Sequence, residues 1–236
     1  MPWGYEYDSN MTTQKFRAAL FDMDDTLIDR ETAYNDVYRL FYDQQEAINE
    51  SASWEEALDY FWSLSPNNAT DARKAIVEIQ SKWSGVVSDP ETHYNFYFSN
   101  MGKMVKILPG VEEFVDWING SSVNWGIVTN GDQFQHLKAQ TTGLDKTAPF
   151  ILASKLFGVD KPAPEVFMEA VRLLDINGLA TEEILFVGDN PYTDIIGSHG
   201  VGMKTAWIRM GREYPSDAPA PDYTVDHVNE LRDLLA

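Results

Sequence analysis

Apolar residues in the first part of the chain form one short run and then a series of helical patterns. The run at 16–21 has the length of a buried β-strand. Beyond it, apolar side chains recur at intervals of three and four, which predicts an amphipathic helix over about 31–50. Ser53 and Glu56 form a capping-box pattern before a second helix, and Asp71 precedes a third. The sequence therefore predicts helices throughout 30–107.

Pro109-Gly110 marks a change to short apolar runs that alternate with amphipathic stretches. This alternation predicts a mostly parallel sheet that is covered on both faces, and therefore an α/β fold. Ligands of such sheets bind at the carboxyl ends of the strands. The predicted strands are 123–129, 150–153, 184–187, 204–208 and 223–225, and the predicted helices are 111–120, 132–142, 164–174, 192–199 and 227–235.

Length and charge restrict the organisation and the partners of the protein. At 236 residues, without a linker rich in Gly, Ser or Pro, the chain fits one domain with an inserted smaller one better than two tandem domains. Its 18 basic and 37 acidic residues give a net charge of −19, which repels nucleic acids and anionic membranes. An anionic small substrate would then need a bound cation and a suitably placed lysine.

Cysteine and targeting signals add little information. The chain has no cysteine, which excludes disulfides and thiolate sites and is compatible with a reducing cytoplasm, the compartment that we expect. Met1–Asn10 lacks the basic and apolar regions of a signal peptide, and no window of the sequence is long and apolar enough to span a membrane.

Reactive residue types follow four separate strands or loops. Each segment alone is a weak signal, because an Asp pair after a strand is common in turns and a Lys before Pro is usually solvated. Together and in this order they are specific. They are Asp22 and Asp24 after the first strand, Thr129 and Asn130 in Val-Thr-Asn-Gly, Lys161 in Val-Asp-Lys-Pro, and Asp189 and Asp194 in Gly-Asp-Asn-Pro-Tyr-Thr-Asp.

With these motifs the chain resembles the haloacid dehalogenase superfamily, in particular its phosphatase branch with a helical cap inserted after the first motif. The resemblance extends over nearly the whole chain. It implies a Rossmann-like three-layer core formed by 1–29 and 108–236, and an all-helical cap domain formed by 30–107. The cap of such enzymes closes over the active site, so we expect 30–107 to determine substrate specificity.

The first motif supplies the proposed reacting groups. A phosphate monoester is attacked only when its negative oxygens are neutralised and the geometry is in line. We expect Asp22 to act as the nucleophile that forms an aspartyl-phosphate. Asp24 would protonate the leaving alcohol and later accept a proton from water, a role that suits the raised pKa expected among crowded carboxylates.

Hard oxygen ligands predict a Mg²⁺ site at the same strand ends. Asp22 and Asp189 would hold the ion, and the resemblance adds the backbone carbonyl of Asp24 as a ligand. Asp194 is expected to orient a metal-bound water or Lys161.

The phosphate is expected to lie beside the second and third motifs. The Thr129 hydroxyl and the Asn130 backbone N–H would donate to it, and Gly131 would allow close approach. Lys161 would supply the local positive charge.

Other residues receive simpler interpretations. Asp25, where the family most often has Gly, is expected to be a solvated carboxylate at a helix start. His93 and His199 are expected at the surface or at helix ends, and the His content is too low for a zinc site. The many aromatic residues of 30–107 are expected to form core rather than to stack on a ligand.

The sequence thus predicts a Mg²⁺-dependent phosphatase that hydrolyses a small phosphorylated metabolite, as a monomer or a homodimer. A phosphomutase or phosphotransferase of the same family is the alternative. A true dehalogenase would need neither Asp24 nor the metal. From a different class, a phospho-Asp signalling protein or a binding protein without turnover remains open, although signalling receivers have another motif order and no helical insertion.

Overall fold

A six-stranded parallel sheet lies at the centre of the computed structural model, which describes residues 16–66 and 70–236. Met1–Asn10, where no signal peptide is expected, lies outside the described residues. The strand order is β5-β4-β1-β6-β7-β8, with β1 in the interior. The strands are β1 Ala18–Phe21, β4 Asn124–Thr129, β5 Ile151–Ala153, β6 Ile184–Gly188, β7 Lys204–Ile208 and β8 Tyr223–Val225.

Alternation along β1 divides the core into two layers. Ala19 and Phe21 pack into the larger apolar cluster, and Ala18 and Leu20 pack into the smaller one on the opposite face of the sheet. Successive side chains of a strand point to opposite faces, so a strand covered on both sides is apolar throughout. This arrangement confirms the predicted α/β class with its mostly parallel sheet.

Residues 30–104, called the helical segment below, lie between β1 and β4 in sequence. A two-stranded antiparallel ribbon, β2 Ile28–Asp29 with β3 Lys106–Ile107, joins its two ends. The expectation of helix throughout 30–107 is therefore wrong at 106–107, which pairs as a strand with β2. The predicted capping box of Ser53 and Glu56 is present. The division into a core at 1–29 and 108–236 and a cap at 30–107 stays a prediction. The helices of this segment are α1 Arg30–Gln44, α2 Glu46–Asn49, α3 Trp54–Ser63, α4 Ala72–Lys82 and α5 Pro90–Met104.

The remaining helices flank the sheet. Gly143, with φ of 79°, ends α7 as predicted. Within the described residues, no helix has both the length and the apolar character needed to cross a membrane. These helices are α6 Val111–Asn119, α7 Gln133–Thr142, α8 Leu144–Thr147, α9 Ser154–Phe157, α10 Pro164–Leu174, α11 Ile196–Gly200 and α12 Arg232–Leu235.

Three predicted helices differ from the observed ones. The helix expected over 31–50 breaks at Gln45, whose extended backbone separates α1 from α2. The helix expected at 192–199 starts with a π-helical turn, Pro191–Ile195, whose first N–H groups are capped by the Asn190 side chain. The helix expected at 227–235 begins as a 3₁₀ turn, Val228–Leu231.

The helical segment is held together by aromatic packing. Tyr34 stacks on Trp62 with ring centroids 3.9 Å apart, and Tyr38 stacks on Phe61 at 4.4 Å. The expected core role of these aromatic residues agrees with this packing. His93 lies near the start of α5, at a helix end as expected, but not at the surface, because its side chain is 1% exposed among the same rings.

Candidate active site

The ends of three neighbouring parallel strands bring separate motifs together. Asp22 follows β1, Thr129 ends β4, and Asp189 follows β6. Because the carboxyl ends of parallel strands share one edge, these residues border one cavity of about 520 Å³, called the central cavity. All the predicted site residues line it, and together they are called the strand-tip site: Asp22, Asp24, Thr129, Asn130, Lys161, Asp189 and Asp194.

Lys161 connects two of the carboxylates. Its ammonium group is buried and lies 2.6 Å from Asp22 Oδ1 and 2.7 Å from Asp194 Oδ1, and it also donates to the carbonyl of Val128. Burial alone would lower the pKa of Lys161, but Asp194 and Asp22 raise it above its usual value. Lys161 is therefore a fixed positive charge at the bottom of an acidic site.

Three buried carboxylates form a group that fits a divalent cation. One oxygen each from Asp22, Asp189 and Asp194 lies within 4.8 Å of the others. Burial raises the pKa of Asp22 well above its usual value, and burial with neighbouring acids raises the pKa of Asp189 to about 7. A hard cation with oxygen ligands, such as Mg²⁺, would relieve this crowding.

Asp24 points toward helix α7 instead of toward this group. Lys138 Nζ lies 2.7 Å from both Asp24 carboxylate oxygens, and Gln135 Nε2 donates to Asp24 Oδ2 at 3.0 Å. Burial would raise the pKa of Asp24, but Lys138 lowers it below its usual value, with a smaller effect from Arg30. The expectation of a raised pKa for Asp24 is wrong, because a buried ammonium group opposes the carboxylate crowding.

The loop after β4 is fixed to Lys161 by hydrogen bonds. The Asn130 side chain donates to the carbonyl of Lys161 and accepts from its backbone N–H. Thr129 Oγ1 accepts from Gln135, 2.5 Å away. Gly131 has φ of +141°, and a Cβ there would lie 2.8 Å from the Gln135 side chain. The Asn130 side chain thus positions Lys161, which the sequence did not indicate.

The loop after β6 depends on close packing of a glycine. A Cβ on Gly188 would lie 2.3 Å from Asp194 Oδ2, so only glycine leaves room for that carboxylate. Asp194 Oδ2 accepts the backbone N–H of Asn190. Asp189 accepts from Arg212, which lies beyond β7, at 3.0 Å. Both carboxylates are therefore held in position by contacts within the protein.

Asp25 was expected to be solvated, but the structure shows otherwise. It is buried, has φ of 55°, and its Oδ1 accepts the backbone N–H groups of Arg30 and Glu31 at the start of α1. Burial raises its pKa. The predicted position at a helix start is correct, but the carboxylate faces the protein because it satisfies these N–H groups.

Sequence reasoning missed Lys138, Gln135, Arg212 and Arg30. A signal existed for the first two, because residues three apart share one face of a helix, and this polar pair lies in the helix that follows the Val-Thr-Asn-Gly motif. No comparable pattern distinguishes Arg212 or Arg30 from solvated arginines.

The helical segment provides the opposite wall of the central cavity. Tyr94, Tyr97 and Phe98 of α5 line it, together with Arg30 at the start of α1. Tyr94 also donates a hydrogen bond to Asp132, the N-cap of α7. The cavity therefore lies between the strand-tip site and the helical segment.

Comparisons with known proteins agree with this geometry. The chain is 25% identical to the glyceraldehyde 3-phosphate phosphatase of Pyrococcus furiosus, with 94% of this chain and 92% of that protein covered. It is 26% identical to the pyrimidine 5'-nucleotidase YjjG of Escherichia coli, with 91% and 96% covered.

A solved structure shares the fold. It is the HAD-hydrolase YfnB from Bacillus subtilis bound to magnesium, which matches with a TM-score of 0.72, 22% identity, and coverage of 94% of this chain and 99% of that one. A family model described as haloacid dehalogenase-like hydrolase matches residues 19–208. The chain therefore belongs to the haloacid dehalogenase-like hydrolases, which confirms the family and the hydrolase class that the sequence motifs indicated.

Proposed function

We propose that the protein is a Mg²⁺-dependent phosphatase that hydrolyses a small-molecule phosphate monoester through an aspartyl-phosphate on Asp22. One observation carries this proposal: Asp22 lies in a single buried site with a fixed ammonium group, Lys161, and two further carboxylates, Asp189 and Asp194. A carboxylate can attack a phosphate dianion only when cations neutralise the repulsion between them.

The metal would be held by Asp22 and Asp189, with the backbone carbonyl of Asp24 as a further ligand. Asp194 is close enough to contribute, but its bond to Lys161 favours a positioning role. When bound, Mg²⁺ would neutralise charge on the phosphate oxygens and orient them for in-line attack.

The chain's own residues provide the bond-making steps. An Asp22 carboxylate oxygen bonds to phosphorus while the ester P–O bond breaks, and Asp24 gives a proton to the departing alkoxide. Water then attacks phosphorus, Asp24 takes the water proton, and Asp22 returns to a carboxylate as inorganic phosphate leaves. Thr129, the backbone N–H of Asn130 and Lys161 would hold the phosphate oxygens throughout.

Lys138 and Gln135 would position Asp24 for this exchange. In the free protein they favour the ionised carboxylate, which is the form needed to accept a proton from water in the second step. A phosphate dianion bound beside Asp24 adds negative charge, which favours the protonated form needed in the first step.

The reaction class is supported by the curated relatives, which are phosphatases. Their names give a triose phosphate and pyrimidine nucleotides as substrates, so they support phosphoric monoester hydrolysis without selecting one leaving group. Asp24 and Asp189 favour this reaction over dehalogenation, which needs the nucleophilic Asp but neither a second acid nor a metal. We also propose that the helical segment acts as the cap that contacts the leaving group.

Phosphate release across a panel of sugar, nucleotide, polyol and amino-acid phosphates tests the function. With Mg²⁺ we expect release from at least one ester, and loss of release after chelation and recovery when Mg²⁺ is added back. A folded protein that releases no phosphate from any ester with Mg²⁺ present would exclude the phosphatase. Isomerised product without net phosphate would indicate the mutase alternative.

A further inference from the structure

Arg30 places an incompletely paired positive charge in the wall of the central cavity. The residue starts α1 and is 6% exposed. Its Nη2 donates to Thr70 Oγ1 at 3.0 Å and to Ser65 Oγ at 3.4 Å. Its Nη1 is buried without a hydrogen-bond partner among the residues that the structure describes. Burying a charged donor without a partner is costly, so such a group is expected to serve a purpose other than stability.

The other cations of the cavity are in a different situation. Lys138, Lys161 and Arg73 each contact a carboxylate at 2.5–2.7 Å. Lys155 is exposed to solvent. Among the cavity cations that the structure describes, Arg30 therefore combines burial with the absence of a direct carboxylate contact.

Arg30 lines the same cavity as the strand-tip site, at the wall that the helical segment forms. The phosphate is expected beside Asp22 and Lys161, at the strand-tip side of the cavity. Thr70 accepts a hydrogen bond from Arg30 and another from Tyr97. Both Thr70 and Tyr97 belong to the helical segment and line the same cavity. A compact ester whose phosphate reaches Asp22 would direct its other end toward this wall.

We propose that Arg30 binds an acidic group, a carboxylate or a second phosphate, on the leaving-group part of the substrate. This inference rests on the proposed function and narrows the substrate class to phosphate monoesters with a second oxyanion. The planar guanidinium matches both kinds of oxyanion, and Nη1 would supply the missing hydrogen bond. Because Nη1 is enclosed in the free protein, the guanidinium shifts slightly when the acidic group binds.

Matched substrate pairs test the proposal. 3-Phosphoglycerate and glycerol 3-phosphate differ by a carboxylate, and fructose 1,6-bisphosphate and fructose 1-phosphate differ by a phosphate. We expect a kcat/KM about 10- to 100-fold higher for the acid-bearing member of at least one pair, carried mostly by KM, as for a hydrogen bond to a charged group. The pair that shows the preference identifies which oxyanion is bound.

Arg30→Gln should abolish this preference, whereas Arg73→Gln, a matched change at an arginine already paired with Glu91, should retain it. Equal kcat/KM values within both pairs for the wild-type protein would overturn the proposal, and so would a preference that survives in Arg30→Gln. If Arg30→Gln does not fold, Arg30→Lys and the wild-type pairs decide, because a lysine keeps the charge but loses the planar donor pair.

Binding separates this inference from the proposed function. Calorimetry of the same pairs with the Asp22→Asn protein and Mg²⁺ should show the same preference in Kd. Preferential binding without phosphate release by the wild-type protein would contradict the proposed phosphatase activity and support the Arg30 site. Phosphate release without any preference within the substrate pairs would support the phosphatase activity and contradict the Arg30 site.

Discussion

Buried polar groups have hydrogen-bond partners in the strand-tip site, whereas some in the helical segment have none among the described residues. At the strand tips, Lys161 contacts two carboxylates and Asp24 contacts Lys138 and Gln135. In the helical segment, the buried Arg30 Nη1 and both ring nitrogens of His93 have no hydrogen-bond partner among the described residues. A fully paired polar network is rigid, whereas unpaired buried groups cost stability.

The difference in pairing suggests different functions for the two regions. The strand-tip site has the positions of its charges determined by several contacts each, as expected of groups that perform one reaction on every substrate. The helical segment is stabilised by aromatic packing, such as Tyr38 on Phe61, and presents a wall whose polar groups are incompletely paired. Chemistry is therefore expected to depend on the first region and substrate choice on the second.

The strongest test of this separation is Asp22→Asn. Loss of the nucleophile should lower kcat by about 10⁴-fold or more for every ester, because Asp22 is the proposed phosphoryl acceptor for all of them. Circular dichroism and thermal melting should show an intact fold, since the change removes a charge from a crowded acidic group. Asp145→Asn, the same change at an exposed site on α8, should leave kcat unaltered.

Asp24→Asn should have the next largest effect. Without its general acid and base, kcat should fall by about 10² to 10⁴-fold for alkyl phosphates. The rate of the first step with p-nitrophenyl phosphate should fall much less, because that leaving group departs without a proton. Pre-steady-state kinetics with the two esters measures this difference, and equal losses in the first step would argue against a general acid at position 24.

Acidification should weaken the helical segment through His93. Burial lowers the pKa of His93 to about 4, below the ordinary 6.5, so protonation favours the unfolded chain. The stability is fully present above pH 6.5 and is lost as the pH falls toward 4, by up to about 3 kcal/mol.

Urea unfolding of the wild type and His93→Leu between pH 7 and pH 4.5 measures the contribution of His93. The variant should lose part of the pH dependence, while His199→Gln at an exposed position should retain it. Identical pH dependence in the wild type and His93→Leu would show that His93 is not protonated on unfolding in this range.

The smallest expected effect is at the cap of α3. Ser53→Ala removes the bond that Ser53 Oγ accepts from Glu56, so the free energy of unfolding should fall by about 1 kcal/mol. Ser81→Ala, on an exposed position of α4, should cost nothing, because alanine favours helix. Neither change should alter kcat, and a drop in kcat with Ser53→Ala would contradict the separation of the two regions.

Sequence patterns predicted the sheet and its site better than the cavity wall. Asp22, Thr129 and Asp189 could be placed together because parallel strands end at one edge, whatever the details of packing. The helix break at Gln45 and the π-helical turn at Pro191–Ile195 were not predicted, because the spacing of apolar residues does not reveal such local changes of backbone geometry.

Pairings across the chain were also beyond prediction. Lys138 reaches Asp24, and Arg212 reaches Asp189, through tertiary contacts. The spacing of Gln135 and Lys138 indicates a shared polar face of a helix but not the partner of that face, and no local pattern distinguishes Arg212.

Burial was also unpredicted at Asp25, which was expected to be solvated, and at His93, which was expected at the surface or at a helix end. Asp25 is buried because it accepts the N–H groups at the start of α1, and His93 is buried because it packs among the aromatic rings of the helical segment.

Covalent phosphorylation of Asp22 is the most direct test of the account. The protein with Mg²⁺ and a hydrolysed ester is acid-quenched within the first turnover, reduced with borohydride, and digested for mass spectrometry. We predict that residue 22 alone is converted to homoserine, and that no such product forms in Asp22→Asn. Phosphate release with an unmodified Asp22, or trapping at another residue, would contradict the proposal that the strand tips converge to make Asp22 the phosphoryl acceptor.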